Sequence, residues 1–372
     1  MVGAGLAGTA CALAAARAGA EVDLIEANAE ALRPSAHVNV VPNMLRGLVS
    51  LGVGEALALK GFPYQLTAVA DATGRVCFRL PARRLAGARY PAAVGITYAA
   101  LMKVLSDAAR AAGVRSHRGR VVAIDAIGGR VGLDQGGRDI NGADLIALAT
   151  GADSPLRTEL FPDAGAPRYM GQTWWRTLVP RPTSLDDVLL VIGRDGHKAM
   201  AIPVDMNLAA LALLRRAPQP EIPAPEYRAS QLRQWLSEFP DPIGSMATRL
   251  RDDAEVLVRP VQSNLLAERW HHGRVIAVGD AAHAITPHFG QSGAQSIEDA
   301  VVLGELLVRG VELDRLPSEF TQRRAEYARQ VHDICLQATE WDLRPAPDTD
   351  LRALAERLAA VVAAPPKQRC FA

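Results

Sequence analysis

The chain has 372 residues, 49% hydrophobic and 22% charged, with a formal net charge of +1 at pH 7. That length allows one large or two intertwined domains with a sizeable core. The near-neutral balance excludes the broad basic field that nucleic acid or anionic lipid would need. Cys11, Cys77, Cys335 and Cys370 lie far apart, with neither CxxC metal spacing nor a secreted disulfide framework. No metal site is therefore expected, and a reducing cytoplasm is the simplest setting. No uncharged apolar run reaches the ~18 residues of a membrane span, so none is expected.

The chain opens with "MVGAGLAGTACALAAARAGAEVDLIEA". Its small apolar start resembles a signal peptide but lacks a basic leading segment. The glycines at 3, 5 and 8 have another reading. In a dinucleotide-binding turn the first permits a tight bend, the second lets backbone approach a pyrophosphate, and the third lets helix pack on strand. Leu6 and Ala7 lie within that turn. Residues 9–19 read as the helix whose N-terminus would face the phosphates, and 21–25 as the next strand. Glu26, 18 residues beyond Gly8, stands close to the ~20 expected for a ribose-hydroxyl acceptor, with Ala27 beside it. Only Met1 and Val2 precede the turn, where a fuller parallel strand is expected, so the sequence is read as beginning inside that strand. Arg33 is a candidate for the cofactor phosphates.

Further along come "VPNMLRGLVSLGV" (41–53), a helix near residue 100, and "ATGADSPLR" (149–157). "APQPEIPAPE" (217–226) reads as a Pro-rich surface loop. The late stretch "GRVIAVGDAAHAITPHFGQSGAQSIED" (273–299) reads as a short strand ended by Gly279-Asp280. A bend at Pro287 follows, then glycines 290 and 293 before a helix near Ala294. A carboxylate there sits at a strand's C-terminal end, where α/β sheets bind ligands. Residues 318–341 read as a charged helix, "RPAPDTD" as a break, and 349–363 as a last amphipathic helix. No second GxGxxG follows Glu26, so a separate nicotinamide domain is not expected.

The ordered set "GAGLAG" with Glu26, "VPNMLRGLVSLGV", "ATGADSPLR" and "GDAAHAITPHFGQSGAQSIEDA" resembles the single-component FAD-dependent aromatic monooxygenases, the class A or para-hydroxybenzoate hydroxylase-like family, across nearly the whole chain. The resemblance implies an α/β fold of the glutathione-reductase flavoprotein type. A Rossmann-like FAD domain with a parallel sheet would span 1–62, 94–165 and 268–325. A mostly antiparallel substrate domain would span 63–93 and 166–267, with C-terminal helices over 326–372. It implies FAD held by Gly3, Gly5, Leu6, Ala7, Gly8, Glu26, Ala27, Arg33, Thr150, Gly151, Arg157, Gly279, Asp280, Pro287, Gly290, Gln291, Ser292 and Gly293. NAD(P)H would reduce the flavin from a surface groove. Reduced flavin with O2 would give a C4a-hydroperoxide that hydroxylates a small phenolic or N-heteroaromatic ring.

Substrate-side candidates are Trp174, Trp175, Met200, Ile202 and Phe289. Adjacent strand residues face opposite ways, so at most one of the two tryptophans faces a pocket directly. His37, His288 and Pro287 are the candidates at the reaction centre, either histidine serving as base toward a ring hydroxyl. The chain departs from the family pattern at several points. Thr150 stands for an Asp, Tyr98 for an Arg ahead of Leu101, Ser35 and His37 for glycines, and Ser292 for a glycine. Losing a cation beside the phosphates removes a charged hydrogen bond worth about 1–3 kcal/mol. Two alternatives stay open: a same-fold oxidase or reductase without ring hydroxylation, and a degenerate flavin or ligand binder. The long C-terminal helices are compatible with a homodimer.

Overall fold

The computed structural model describes residues 1–28, 36–134 and 139–366. Its first sheet is organised by one residue. Val2 bridges in parallel to Ile25 on one side and Leu148 on the other. Backbone bonds from Val2 to Ala147 and from Gly3 to Ile25, both 2.9 Å, complete the join. Met1 and Val2 thus occupy the position of the expected first strand. Outward from it run Asp23–Glu26 and Arg115–Arg118 in one direction, Ile146–Leu148 and Val275–Ala277 in the other, all parallel. His271–His272 closes the far edge antiparallel. The inner strands are buried as continuous apolar runs, because helices cover both faces.

Two of those helices matter for the site. Leu6–Arg17 is Ala-rich and packs against Gln291–Val308, with Gly304 allowing approach to Ala14. The first begins at Leu6, three residues ahead of the sequence reading, because the turn itself ends at Gly5.

The second sheet has seven strands in the order Leu257–Leu265, Arg168–Pro180, Leu208–Arg216, Lys198–Pro203, Val188–Ile192, Leu66–Ala70, Val76–Pro81. Every pairing is antiparallel except that of Val188–Ile192 with Leu66–Ala70. Helices Pro225–Leu236 and Ile243–Ala247 cover one face over Trp175, Val191, Leu211 and Leu213. The other face is turned toward the first sheet. Between the two sheets lies a small one of His37–Val40, Ala93–Thr97 and Phe62–Tyr64. The fold is therefore α/β, a parallel FAD-type sheet joined to a mostly antiparallel one.

Helix Leu316–Leu343 runs across both parts, and after an exposed connection Leu351–Val362 folds back on it. Among the described residues no helix is long and apolar enough to cross a membrane.

Candidate active site

A cavity of about 1750 Å³ lies between the two sheets. This exceeds the ~300–1,000 Å³ of a pocket for one small ligand, so it has room for a large cofactor and a second molecule.

One end is made largely of backbone. Gly3 has φ +99°, and a Cβ there would fall 2.5 Å from the Ala149 carbonyl oxygen. A Cβ on Gly8 would lie 1.8 Å from the Gly3 carbonyl oxygen. A Cβ on Gly5 would meet nothing within 4 Å, and Gly5 borders the cavity. The three glycines thus divide the work as a dinucleotide turn requires: two permit close packing, and one leaves room for a ligand. Helix Leu6–Arg17 starts there with no side-chain cap and no acid in its first turn. Its free N–H groups suit a phosphate. Glu26 is fixed by its backbone neighbours: Ala4 N–H donates to Oε2 at 2.7 Å and Asn28 N–H to Oε1 at 2.8 Å. Glu26 and Ala27 both line the cavity.

The late motif arrives at the same cavity from the other side. Gly279 has φ +61°, and a Cβ on it would strike the Ala7 Cβ at 2.5 Å. Its N–H donates to Asp299 Oδ2 at 2.8 Å. That carboxylate also accepts from His283 Nε2 at 2.8 Å and Arg324 Nε at 2.7 Å, all three side chains being buried. The next residue, Asp280, is set deep in the wall but open to the cavity, and Ser292 Oγ donates to it at 3.0 Å. Burial pushes the Asp280 carboxyl upward. Pro287, Gly290, Gln291, Ser292 and Gly293 follow along the wall. Phe289 is held at φ +58°, at a cost of about 1–2 kcal/mol. Helix Gln291–Val308 then begins at Gly290, again with no side-chain cap and no acid in its first turn. Two unneutralised helix N-termini therefore serve one cavity.

Asn43, in the "VPN" segment, exchanges amide hydrogen bonds with Gln291 at 3.2 and 3.3 Å. This lock was not anticipated from the sequence. Thr150 and Gly151 line the cavity, and the Thr150 hydroxyl is buried without a partner among the described residues. That orphaned oxygen, the open side of Gly5 and the paired helix ends all fit a bound FAD.

The other end is made of side chains. Strand Arg168–Pro180 sends Trp174 and Arg176 to the cavity, and strand Lys198–Pro203 sends Lys198, Met200 and Ile202. The register fixes their arrangement. Leu214 lies between Trp174 and Lys198, and Ala212 between Arg176 and Met200. His37 and Phe289 complete this end. His37 is buried, and its Nδ1 has no partner among the described residues. Burial, helped by the nearby Arg176 charge, pushes its pKa down to about 3.

Several sequence candidates stand elsewhere. Trp175 points away from the cavity into the core, edge-on to Trp235 at 4.9 Å between ring centroids, because it alternates with Trp174. Arg157 is buried and bonds Ala281 O at 2.8 Å, Gly165 O at 3.0 Å and Asn264 Oδ1 at 2.7 Å. It ties loops together behind the late motif and is not part of the cavity wall. Gly8 and Gly279 shape the wall from behind. His288 borders the cavity, but both ring nitrogens are taken: Nε2 by Asp342 at 2.7 Å, Nδ1 by the Thr339 and Thr286 hydroxyls at 3.1 and 3.2 Å. It has no free lone pair to act as a base on a ring. Arg33 lies outside the described residues.

Not anticipated were Lys198, Asn39, Tyr64 and the last helix, which brings Leu351, Ala355 and Ala359 to the wall. Lys198 was detectable, since Met200 two positions on was already placed on that face. Nothing in the sequence marked the last helix.

Such a cavity, a dinucleotide cradle facing a ring-sized apolar site, defines a flavoprotein oxidoreductase. The comparisons with known proteins narrow the class. The FAD binding domain family matches residues 1–334. The 2-heptyl-3-hydroxy-4(1H)-quinolone synthase of Pseudomonas aeruginosa is 29% identical, with 96% of each chain covered. Salicylate hydroxylase of Pseudomonas putida is 31% identical, over 82% of this chain and 76% of its own. The crystal structure of Klebsiella pneumoniae HpxO with FAD and uric acid superposes with a TM-score of 0.85 at 22% identity, covering 98% of this chain and 96% of that one. The chain belongs to the FAD-dependent aromatic hydroxylase family: it is an FAD-dependent monooxygenase.

Proposed function

We propose that this protein hydroxylates a small phenolic or N-heteroaromatic ring, using NAD(P)H and O2. The observation that carries the reading is the single cavity that joins a backbone-built cofactor cradle to the Trp174–Met200–Ile202 face. Bound FAD, once reduced by NAD(P)H, supplies the electrons and the activated oxygen. The protein supplies position and field.

The N-terminus of helix Leu6–Arg17 takes the pyrophosphate, Glu26 the ribose and Asp280 the ribityl chain. The N-terminus of helix Gln291–Val308 would face the flavin ring and favour negative charge there. The substrate ring lies against the apolar face of Trp174, Met200 and Ile202. His37 stays neutral at working pH because its pKa is near 3. It therefore acts as a hydrogen-bond partner to the ring hydroxyl or ring N–H, and not as a store for the proton. The salicylate- and quinolone-directed names of the two relatives support an oxygenated or nitrogenous ring as substrate. Cys11 and Cys335 as buried free thiols, with Cys77 exposed and free, support a reducing cytoplasm.

The test is direct. The purified protein should be yellow, and one or more compounds in a set of small phenols and N-heteroaromatics should accelerate NAD(P)H consumption. The product should be a hydroxylated ring in amounts matching the NAD(P)H used. Consumption that yields hydrogen peroxide with every ring tried would instead establish the oxidase reading.

A further inference from the structure

The cavity wall holds a buried charged network that the reaction described above does not use. Asp342, at the C-terminal end of helix Leu316–Leu343, directs one carboxylate oxygen to the Lys198 ammonium. Its other oxygen accepts from His288 Nε2 at 2.7 Å and more weakly from Gln172 Nε2 at 3.4 Å. Lys198, Asp342 and His288 are 7%, 5% and 8% exposed, so solvent screens little of this. The three come from three separate parts of the chain: the substrate-side sheet, the turn that leads into Phe289 and Gly290, and the C-terminal helix. Lys198 and His288 border the cavity, while Asp342 stands behind them.

The electrostatics assign the states. The Lys198 and His288 contacts outweigh burial and hold the Asp342 carboxyl below its usual value. Burial holds the His288 ring down, and so neutral. With Nε2–H given to Asp342, its Nδ1 accepts from the Thr339 hydroxyl, and every polar atom of the ring is satisfied. The groups facing Asp342 are thus the Lys198 ammonium from the sheet and the neutral His288 ring from the turn. Arg176 lies diagonally from Lys198 on the same sheet face.

An ammonium buried without a counter-charge would lose its proton near neutral pH. Here it has a dedicated partner, and that partner comes from outside the sheet. We propose that Asp342 is a positioning residue of the active site: it keeps Lys198 charged at the cavity wall, where the ammonium meets an anionic oxygen on the ring substrate. The C-terminal helix is in this way part of the catalytic cavity. The proposal rests on the ring-hydroxylation reading of the same site.

The test uses the FAD-loaded full chain and the flavin absorbance as reporter. The probes are benzoate and its uncharged relative benzamide, neither of which titrates between about pH 6.5 and 9. The unaltered protein should favour the anion by about tenfold or more, with a preference that is flat from about pH 6.5 to 9 while the Lys198–Asp342 pair is intact. Lys198→Met should abolish the preference and Lys198→Arg should keep it. Asp342→Asn should keep it near pH 6.5 and lose it by about pH 9, as the unpaired amine titrates. Asp342→Glu should restore the flat profile. A purely structural Asp342 would lower the melting temperature without adding that basic limb, and such a result overturns the proposal. So does an anion preference that survives in Lys198→Met, a variant that remains informative if the Asp342 variants fail to fold. A yellow protein whose spectrum neither probe shifts also overturns it. Whether the reading of the reaction falls at the same time is then decided separately by the ring screen.

Discussion

The two ends of the cavity are built by different means. The cofactor end is backbone: three glycines, two uncapped helix N-termini and a pair of N–H groups on Glu26. The substrate end is side chains projecting from one sheet face, in an order set by strand register. A backbone-built site depends on local geometry that a few residue types impose wherever they occur. A side-chain site depends on which strands become neighbours, and that is settled only when the chain has folded. The difference predicts that damage at the cofactor end should act on folding and FAD together, whereas damage at the substrate end should separate stability from turnover.

The largest effect should come from behind the cofactor end. Asp299 holds Gly279 N–H, His283 and Arg324 with no solvent contact. Removing one partner of a buried charge set costs about 3–5 kcal/mol. Asp299→Ala should therefore melt far earlier and purify without colour. The pH dependence has a definite sign. Burial opposes ionisation of Asp299, but the His283 and Arg324 contacts prevail and hold its carboxyl below the usual value. A carboxylate depressed in the folded state contributes stability that is fully present above its unfolded pKa of about 3.9. That contribution is lost as pH falls through the lower folded value. Acid unfolding of the unaltered protein should show this, and Asp299→Ala should lack it.

His37 offers the sharpest contrast, because it belongs to the substrate end. His37→Leu removes the hydrogen-bond partner proposed for the ring. It should lower kcat by about 10²-fold, the lower range for a positioned proton-handling group. The melting temperature and FAD content should hardly change. Since the His37 pKa lies near 3, kcat/KM of the unaltered enzyme should show no limb from it between about pH 5 and 8. A limb near the ordinary histidine value that vanishes in His37→Leu would contradict this assignment.

A smaller effect, now on the cofactor alone, is expected at Asp280. Its carboxylate faces the cavity and accepts from Ser292 Oγ. Asp280→Ala should weaken FAD by about 10- to 100-fold, the range of one charged hydrogen bond. Fluorescence titration of the apoprotein with FAD measures it. The fold should survive, in contrast to Asp299→Ala.

These cases also show what the sequence could and could not convey. Gly3, Gly5, Gly8, Glu26 and Asp280 were legible because spacing along the chain equals spacing within one strand–turn–helix unit. The two sheets were legible as types only through the family resemblance that the ordered motifs carry. Arg157 misled because it lies in a cofactor motif while its guanidinium turns to Ala281, Gly165 and Asn264. His288 misled in the same way, since Asp342, 54 residues on, takes its Nε2–H and Thr339, 51 residues on, takes the Nδ1 lone pair a base would need. Such long-range partners have no local signature. The last helix was read as packed on the body, but its approach to the cavity depends on how Leu316–Leu343 crosses both parts.

Trp174 and Trp175 carry the comparison down to adjacent residues. Period-two alternation sends one to the cavity and the other to the core. Trp175 is 2% exposed, packs on Trp235 and donates to Thr173 Oγ1 at 3.0 Å. Trading its indole for a leucine leaves a void and should cost about 2–3 kcal/mol in thermal unfolding, with KM unchanged. The same change at Trp174 opens onto a cavity that already exists, so no new void is enclosed and the melting temperature should move little. What is lost there is the face against which the ring lies, worth about 1 kcal/mol for an aromatic pair beyond its buried area. KM for whichever ring the screen identifies should therefore rise about fivefold, with FAD affinity unchanged. Both effects appearing in one of the two variants would mean that the strand register is not the one described, and the substrate end would have to be rebuilt from the other face.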